Sequence, residues 1–232
     1  MGRGPRWLGP PARPLPGLAP GRGDRGMTTR VTLRPATALN QSADPRVLGT
    51  LVMPGVAAAL WQRPIDPLWQ AWLDGLPVSQ LPRLRQTLRP QDVAAAMTAA
   101  CAASDLPDSP QRQRLIDDVA ELALLAARHL DALLITLRIE VTAGQSCPKW
   151  HLDAVRARLL CTLRGAGTQF GPASGAAQVA APQQMPTGAA ALFRGRRWGA
   201  EPSGLLHRSP PAQPGRTRLL VVVDPVDEAA SC

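Results

Sequence analysis

Residues 133–142, LLITLRIEVT, decide how this chain is read. Leu133, Ile135, Leu137, Ile139 and Val141 alternate with Thr136, Arg138, Glu140 and Thr142. A period of two puts the apolar set on one face of a strand and the polar set on the other. The residues before it follow a different rule. After Ser109-Pro110, Leu115, Val119, Leu122, Ala126 and Leu130 recur at helical spacing to about residue 130. The change of period near residue 132 divides the chain into a helical part and a β part.

Toward the N-terminus the punctuation stays helical. Asp66-Pro67 supplies an N-cap and a first-turn proline ahead of Leu68, Trp69, Trp72 and Leu73, and Gly75 closes a helix over 66–75. The Ala-rich stretch from Pro90 to Ala103 predicts another helix, so 45–131 is expected to be mainly helical. Residues 1–26 hold six Pro and seven Gly, with only Trp7, Leu8, Leu15 and Leu18 large and apolar. Such a segment cannot offset its chain entropy by burial. Residues 1–44 are therefore expected to be a disordered tail, with Met27 a candidate for the true start.

Toward the C-terminus a second run, Val155, Ala157, Leu159, Cys161 and Leu163, alternates with Arg156, Arg158, Thr162 and Arg164. Ala189 to Phe193 and Arg218 to Val223 read as further strands, the last apolar on both faces and so central. Turns at Gly165-Ala166-Gly167, Gly171-Pro172, Pro186-Thr187-Gly188 and Pro214-Gly215 separate them. Short strands divided by Gly and Pro predict a β-sandwich or jelly-roll barrel over 132–226, with 227–232 as a tail.

Composition narrows the classes of function. The 232 residues carry 26 Lys+Arg against 17 Asp+Glu, a formal charge of +9. Six of those nine charges come from residues 1–40, where seven Arg face Asp24 alone, and the rest of the chain has an ordinary balance. No nucleic-acid surface is expected. Cys101, Cys147, Cys161 and Cys232 form no C-x-x-C pair, and no apolar run is long enough to span a bilayer. A cytoplasmic protein with no membrane partner is the expectation.

Two of the three histidines stand in pointed contexts. His151 and Asp153, in Cys147-Pro148-Lys149-Trp150-His151-Leu152-Asp153, project from one face if the stretch is extended. Their parity matches Val155, Ala157 and Leu159, so an unbroken strand would turn them inward. His207 follows before Ser209-Pro210. Two His and one carboxylate can hold Fe(II) on one side and leave the opposite positions open. Arg218 enters an otherwise apolar strand, and a buried Arg is costly unless paired; a ligand carboxylate is one such partner. Arg216 shares its parity and is the fallback. A Ser209-based hydrolase lacks a nucleophile elbow, and Gly165-x-Gly167 lacks the third glycine of a dinucleotide loop, Phe170 standing there.

The ordered set of His-x-Asp, the Pro186–Phe193 hairpin and strand, a distal His and a late Arg resembles the double-stranded β-helix of the Fe(II)/2-oxoglutarate dioxygenases. The resemblance implies an α+β fold, with a helical N-terminal half packed on a C-terminal double-stranded β-helix of the jelly-roll or cupin-like kind. It implies His151, Asp153 and His207 as metal ligands, Arg218 or Arg216 as the clamp on 2-oxoglutarate, and a small-molecule co-substrate as partner. The strings CPKWHxD, RxRLLCTxRGxGT and HRSP also resemble a bacterial family without an assigned activity, associated with zinc-homeostasis gene neighbourhoods. Cys147, four residues before His151, departs from the dioxygenase pattern, and a thiolate suits zinc better than an oxygen-activating iron. The alternative is thus a zinc protein of metal homeostasis with Cys147, His151, Asp153 and His207 as ligands.

Overall fold

The computed structural model describes residues 34–175 and 177–227. The expectations for the Pro/Gly-rich segment and for a start at Met27 lie outside the described residues, as do positions 228–232 of the C-terminal tail. The described order is β1 (Ala38–Ser42), β2 (Val56–Trp61), α1 (Pro67–Gly75), β3 (Leu84–Leu88), α2 (Val93–Ala103), α3 (Pro110–Leu130), β4 (Ile135–Thr142), β5 (Ala157–Arg164), β6 (Gln169–Gly175), β7 (Gln178–Val179), β8 (Gln183–Gln184), β9 (Ala190–Arg194), β10 (Leu205–Arg208) and β11 (Arg218–Pro225). No described helix is long and apolar enough to cross a membrane.

The helices begin where their caps dictate. Asp66 accepts from the N–H groups of Leu68 (2.8 Å) and Trp69 (3.4 Å), and Ser109 accepts from Arg112 N–H (3.1 Å), each ahead of a proline. α3 ends at Asp131 in the left-handed region, φ 49°.

Seven strands form one sheet in the order β1-β2-β9-β5-β11-β4-β3, and β10-β6-β7 with β8 on β6 form a smaller one. The helical N-terminal half is corrected here. Its three helices are present, but β1, β2 and β3 also come from it and build both edges of the large sheet. β1 lies inside the stretch expected to be tail. β2 escapes a strand reading because VAAALW has no alternation, both of its faces being buried.

Side chains sort by parity. Leu159, Cys161, Leu163, Leu219, Val221 and Val223 pack with α3 residues such as Leu115, Val119 and Leu122, whereas Leu160, Phe193, Leu220 and Val222 pack with Phe170 and Leu205 of the smaller sheet. Each large apolar side chain buried this way contributes roughly 1.5–3 kcal/mol. β11 therefore reads as apolar on both faces, whereas β5 keeps its alternation and adds Leu160 to the inner face. On the inner face they also carry Arg158, Thr162, Arg218 and Asp224, which mark the site.

Arg194 is a separate buried cation. Its guanidinium donates to the carbonyls of Leu51 (2.9 and 3.2 Å) and Met53 (2.7 Å) and pairs with Glu201 (2.5 Å), clamping the 3-10 turn Pro45–Val52 to β9.

Candidate metal centre

His151 and His207 face each other through their backbones. His151 N–H donates to the His207 carbonyl (3.0 Å) and His207 N–H to the His151 carbonyl (3.1 Å), an isolated antiparallel bridge on the edge of β10 away from β6. Directly opposed residues project from one face. Their rings accordingly lie 4.7 Å apart, edge to face. Asp153 joins them, with Oδ2 2.9 Å from His207 Nε2 and Oδ1 3.7 Å from His151 Nε2. One ligand atom from each residue lies within 4.8 Å of the others. Asp153 and His207 are buried and His151 is partly exposed, so the cluster opens on the His151 side.

The condition of an unbroken strand from His151 to Leu159 is not met. Residues 154–156 bend, and β5 begins at Ala157. Ala157 and Leu159 then face the helices, while Asp153 meets Arg158, of the opposite parity.

Protons are placed by the neighbours. The Lys149 carbonyl, 2.8 Å from His151 Nδ1, can only accept, so Nδ1 carries the hydrogen and Nε2 offers a lone pair to the cluster. Burial pushes the Asp153 carboxyl up, but His151, His207 and Arg158 outweigh it and hold the group well below the usual carboxylate range. Asp153 in turn pushes the His151 imidazole up against its own burial. Asp153 Oδ2 and His207 Nε2 are close without the alignment of a hydrogen bond, and Oδ2 is buried with no hydrogen-bond partner among the described residues. Lone pairs converging on one point repel unless a cation lies between them. Two imidazole nitrogens and one carboxylate oxygen are a donor set for a divalent transition metal, with the remaining positions free.

Behind Asp153 runs a chain of alternating charge that sequence reasoning missed. Arg158 Nη1 donates to Asp153 Oδ1, and its Nε and Nη2 donate to the two oxygens of Asp224 (2.6 and 2.8 Å). Arg138 meets Asp224 (3.5 Å) and Glu140 (2.9 Å). The signal was available: Arg158 and Asp224, like Arg218, are charges inside apolar runs.

Arg218 is buried on the inner face. Its Nη2 donates to the hydroxyls of Thr162 (2.9 Å) and Thr168 (2.7 Å), its Nε has no partner, and no carboxylate among the described residues pairs with it. Burial therefore pulls its pKa down to about 10 despite Glu140, Cys161 and Cys147 nearby. Thr168 precedes β6, on which Phe170 opposes His207. Arg216 is corrected: β11 starts only at Arg218, so strand parity does not reach it, and it lies exposed in the preceding loop. Cys147 is corrected as a ligand. Its side chain is exposed and outside the cluster, and its backbone is tied to Ser209, N–H to Oγ at 3.3 Å and carbonyl to N–H at 3.0 Å.

The fold has solved counterparts. It is similar to dioxygenase for auxin oxidation 1 from Arabidopsis thaliana in its 2-oxoglutarate complex, with a TM-score of 0.50 at 9% identity over 86% of this chain and 94% of that one. The dioxygenase for auxin oxidation in rice gives 0.48 at 12% identity over 82% and 83%. A prolyl-4-hydroxylase from Pseudomonas putida gives 0.42 at 13% over 80% and 99%. At these identities the likeness shows the double-stranded β-helix fold alone. No curated protein matches the sequence. One family profile does, over residues 42–224, and on that span the chain belongs to the family described as protein of unknown function (DUF1826).

Proposed function

We propose that this protein is a non-haem Fe(II)/2-oxoglutarate-dependent oxygenase. The observation that carries the reading is the His151–Asp153–His207 cluster in one inter-sheet space with Arg218, a buried guanidinium that no carboxylate of the described chain neutralises. When bound, Fe(II) and 2-oxoglutarate together supply oxidation of a C–H bond by O2, with release of succinate and CO2.

The chain's part is arrangement. His151 presents Nε2, its Nδ1 being engaged by the Lys149 carbonyl, His207 presents Nε2 beside Asp153, and Asp153 presents one oxygen because Arg158 holds the other. Arg218, oriented by Thr162 and Thr168, keeps donors for the distal carboxylate of the co-substrate. The zinc alternative needed Cys147 as a fourth ligand, and the exposed thiol does not supply it.

Anaerobic titration of the Fe(II)-loaded protein with 2-oxoglutarate tests this. The expected result is a saturable visible absorption band that Arg218→Met abolishes while metal stays bound. Stoichiometric metal with no band would overturn the reading.

A further inference from the structure

The apolar alternation of β4 leaves one face polar; it is the face that carries Arg218 and Asp224 on β11, and no β4 residue joins the apolar cluster there. That face carries Arg138 and Glu140, half-buried, and β3 adds Arg85, directly opposite Arg138. Thr87 and Thr136, with hydroxyls 3.0 Å apart, show that paired residues of the two strands share this face. Like charges set directly opposite each other in a sheet destabilise it. Arg138 is answered by Glu140 and Asp224. Arg85 is exposed and makes no ion pair among the described residues. Departures from a local rule of this kind collect at functional sites.

Arg85, Arg138 and Glu140 line an open groove of about 410 Å³, with Arg83 donating to the Val141 carbonyl beside them (2.8 Å). The volume falls in the range of small-molecule sites, about 300–1,000 Å³. Of the three guanidiniums that line the groove, Arg138 is answered by Glu140 and Asp224 and Arg83 donates to the Val141 carbonyl, which leaves Arg85 as one positive charge with no partner among the described residues. A monoanion matches it. The groove is joined to the metal cluster by the chain Glu140–Arg138–Asp224–Arg158–Asp153.

We propose that the groove over β3 and β4 is the substrate-binding face of the metal centre, and that the substrate is a small carboxylic acid whose carboxylate is held by Arg85 beside Arg138. The inference rests on the metal-centre reading above. Arg85, at the edge of the sheet, holds the unreactive end of the substrate, and Arg138 beside it begins the ion-pair chain that leads to Asp153.

The test uses Mn(II)-loaded full-length protein with hexanoate as probe and hexanamide as its uncharged counterpart. The proton lines of hexanoate are expected to broaden saturably through paramagnetic relaxation, those of hexanamide far less. Loss of charge-assisted hydrogen bonds predicts about tenfold to hundredfold weaker hexanoate binding in Arg85→Gln, partly restored in Arg85→Lys. Five results would overturn the proposal. Binding unchanged in Arg85→Gln would leave Arg85 as a guard of the sheet edge. Broadening lost in Arg218→Met but kept in Arg85→Gln would place the anion on Arg218. Hexanoate bound through Arg85 but not relaxed would detach the groove from the metal. Bound Mn(II) with no hexanoate binding would remove the groove and leave the metal centre standing, whereas failure of Mn(II) itself to bind would remove both.

Discussion

Arg158→Met removes the side chain that, among the described residues, pairs with both Asp153 and Asp224. Of the described residues, Asp153 is then left with its histidines and no guanidinium, and Asp224 keeps Arg138 at 3.5 Å. Both carboxylates are nearly buried, with side-chain exposures of 7% and 11%. Breaking a buried pair from one side costs about 3–5 kcal/mol, because a charge is left uncompensated. For a domain of this size that corresponds to a drop in melting temperature of roughly 6–20 °C. A divalent cation in the cluster answers the charge on Asp153 but not that on Asp224. The deficit should therefore be full in metal-free protein and shrink to about half in Zn(II)-loaded protein. Arg158→Met/Asp224→Asn should recover a comparable share without metal. Urea denaturation of the three proteins, with and without Zn(II), checks this. A deficit under about 1 kcal/mol, or one of the same size in both forms, would refute the account of Asp153.

Other expectations follow from burial and charge. In a Cys232→Ser background, Cys147 should be alkylated rapidly by iodoacetamide, while buried Cys101 and Cys161 should react only on unfolding; burial pushes the Cys161 thiol up to about 11. Peptide mapping after a short exposure reads this out. Burial, with Arg128 adding to it, holds the His129 imidazole below its ordinary 6.5. Its contribution to stability is thus present above about pH 6.5 and lost as pH falls through the lower folded-state value. The melting-temperature difference between wild type and His129→Gln should change in that direction over the same window, and a constant difference would contradict it. Arg194→Leu should cost about 3–5 kcal/mol in chemical denaturation, since the carbonyls of Leu51 and Met53 lose their donor.

Much of the fold is legible wherever one face of an element is buried and the other wet. β4 shows its alternation for that reason, and α1 and α3 announce themselves through Asp66-Pro67 and Ser109-Pro110. β2 is hidden because Ala57, Ala58 and Ala59 are buried on both faces, and a run of small apolar residues suits a helix as well as a strand. β1 and β3 are short edge strands whose partners lie elsewhere in the chain, so local pattern carries little of them. At the site, His-x-Asp is visible in sequence because residues two apart share a face. Arg158 and Asp224 are not paired by any local rule, since 66 positions separate them and only the large sheet sets them side by side. Cys147 illustrates the opposite error: nearness in sequence to His151 suggests a ligand, but the loop turns the thiol outward.

The reciprocal backbone hydrogen bonds between His151 and His207 bear on when the metal cluster can exist during folding. The two residues meet only after β10 has returned to lie beside β6, a contact between distant parts of the chain that is slow to form. No nucleus containing β4, β5 and α3 alone would hold the full set of ligands. An ion bound there is a late lock rather than a template. It should leave the rate of folding nearly unchanged and slow unfolding, because interactions absent from the transition state act on that limb. Metal supply would then govern how long the folded chain survives proteases, independently of any turnover.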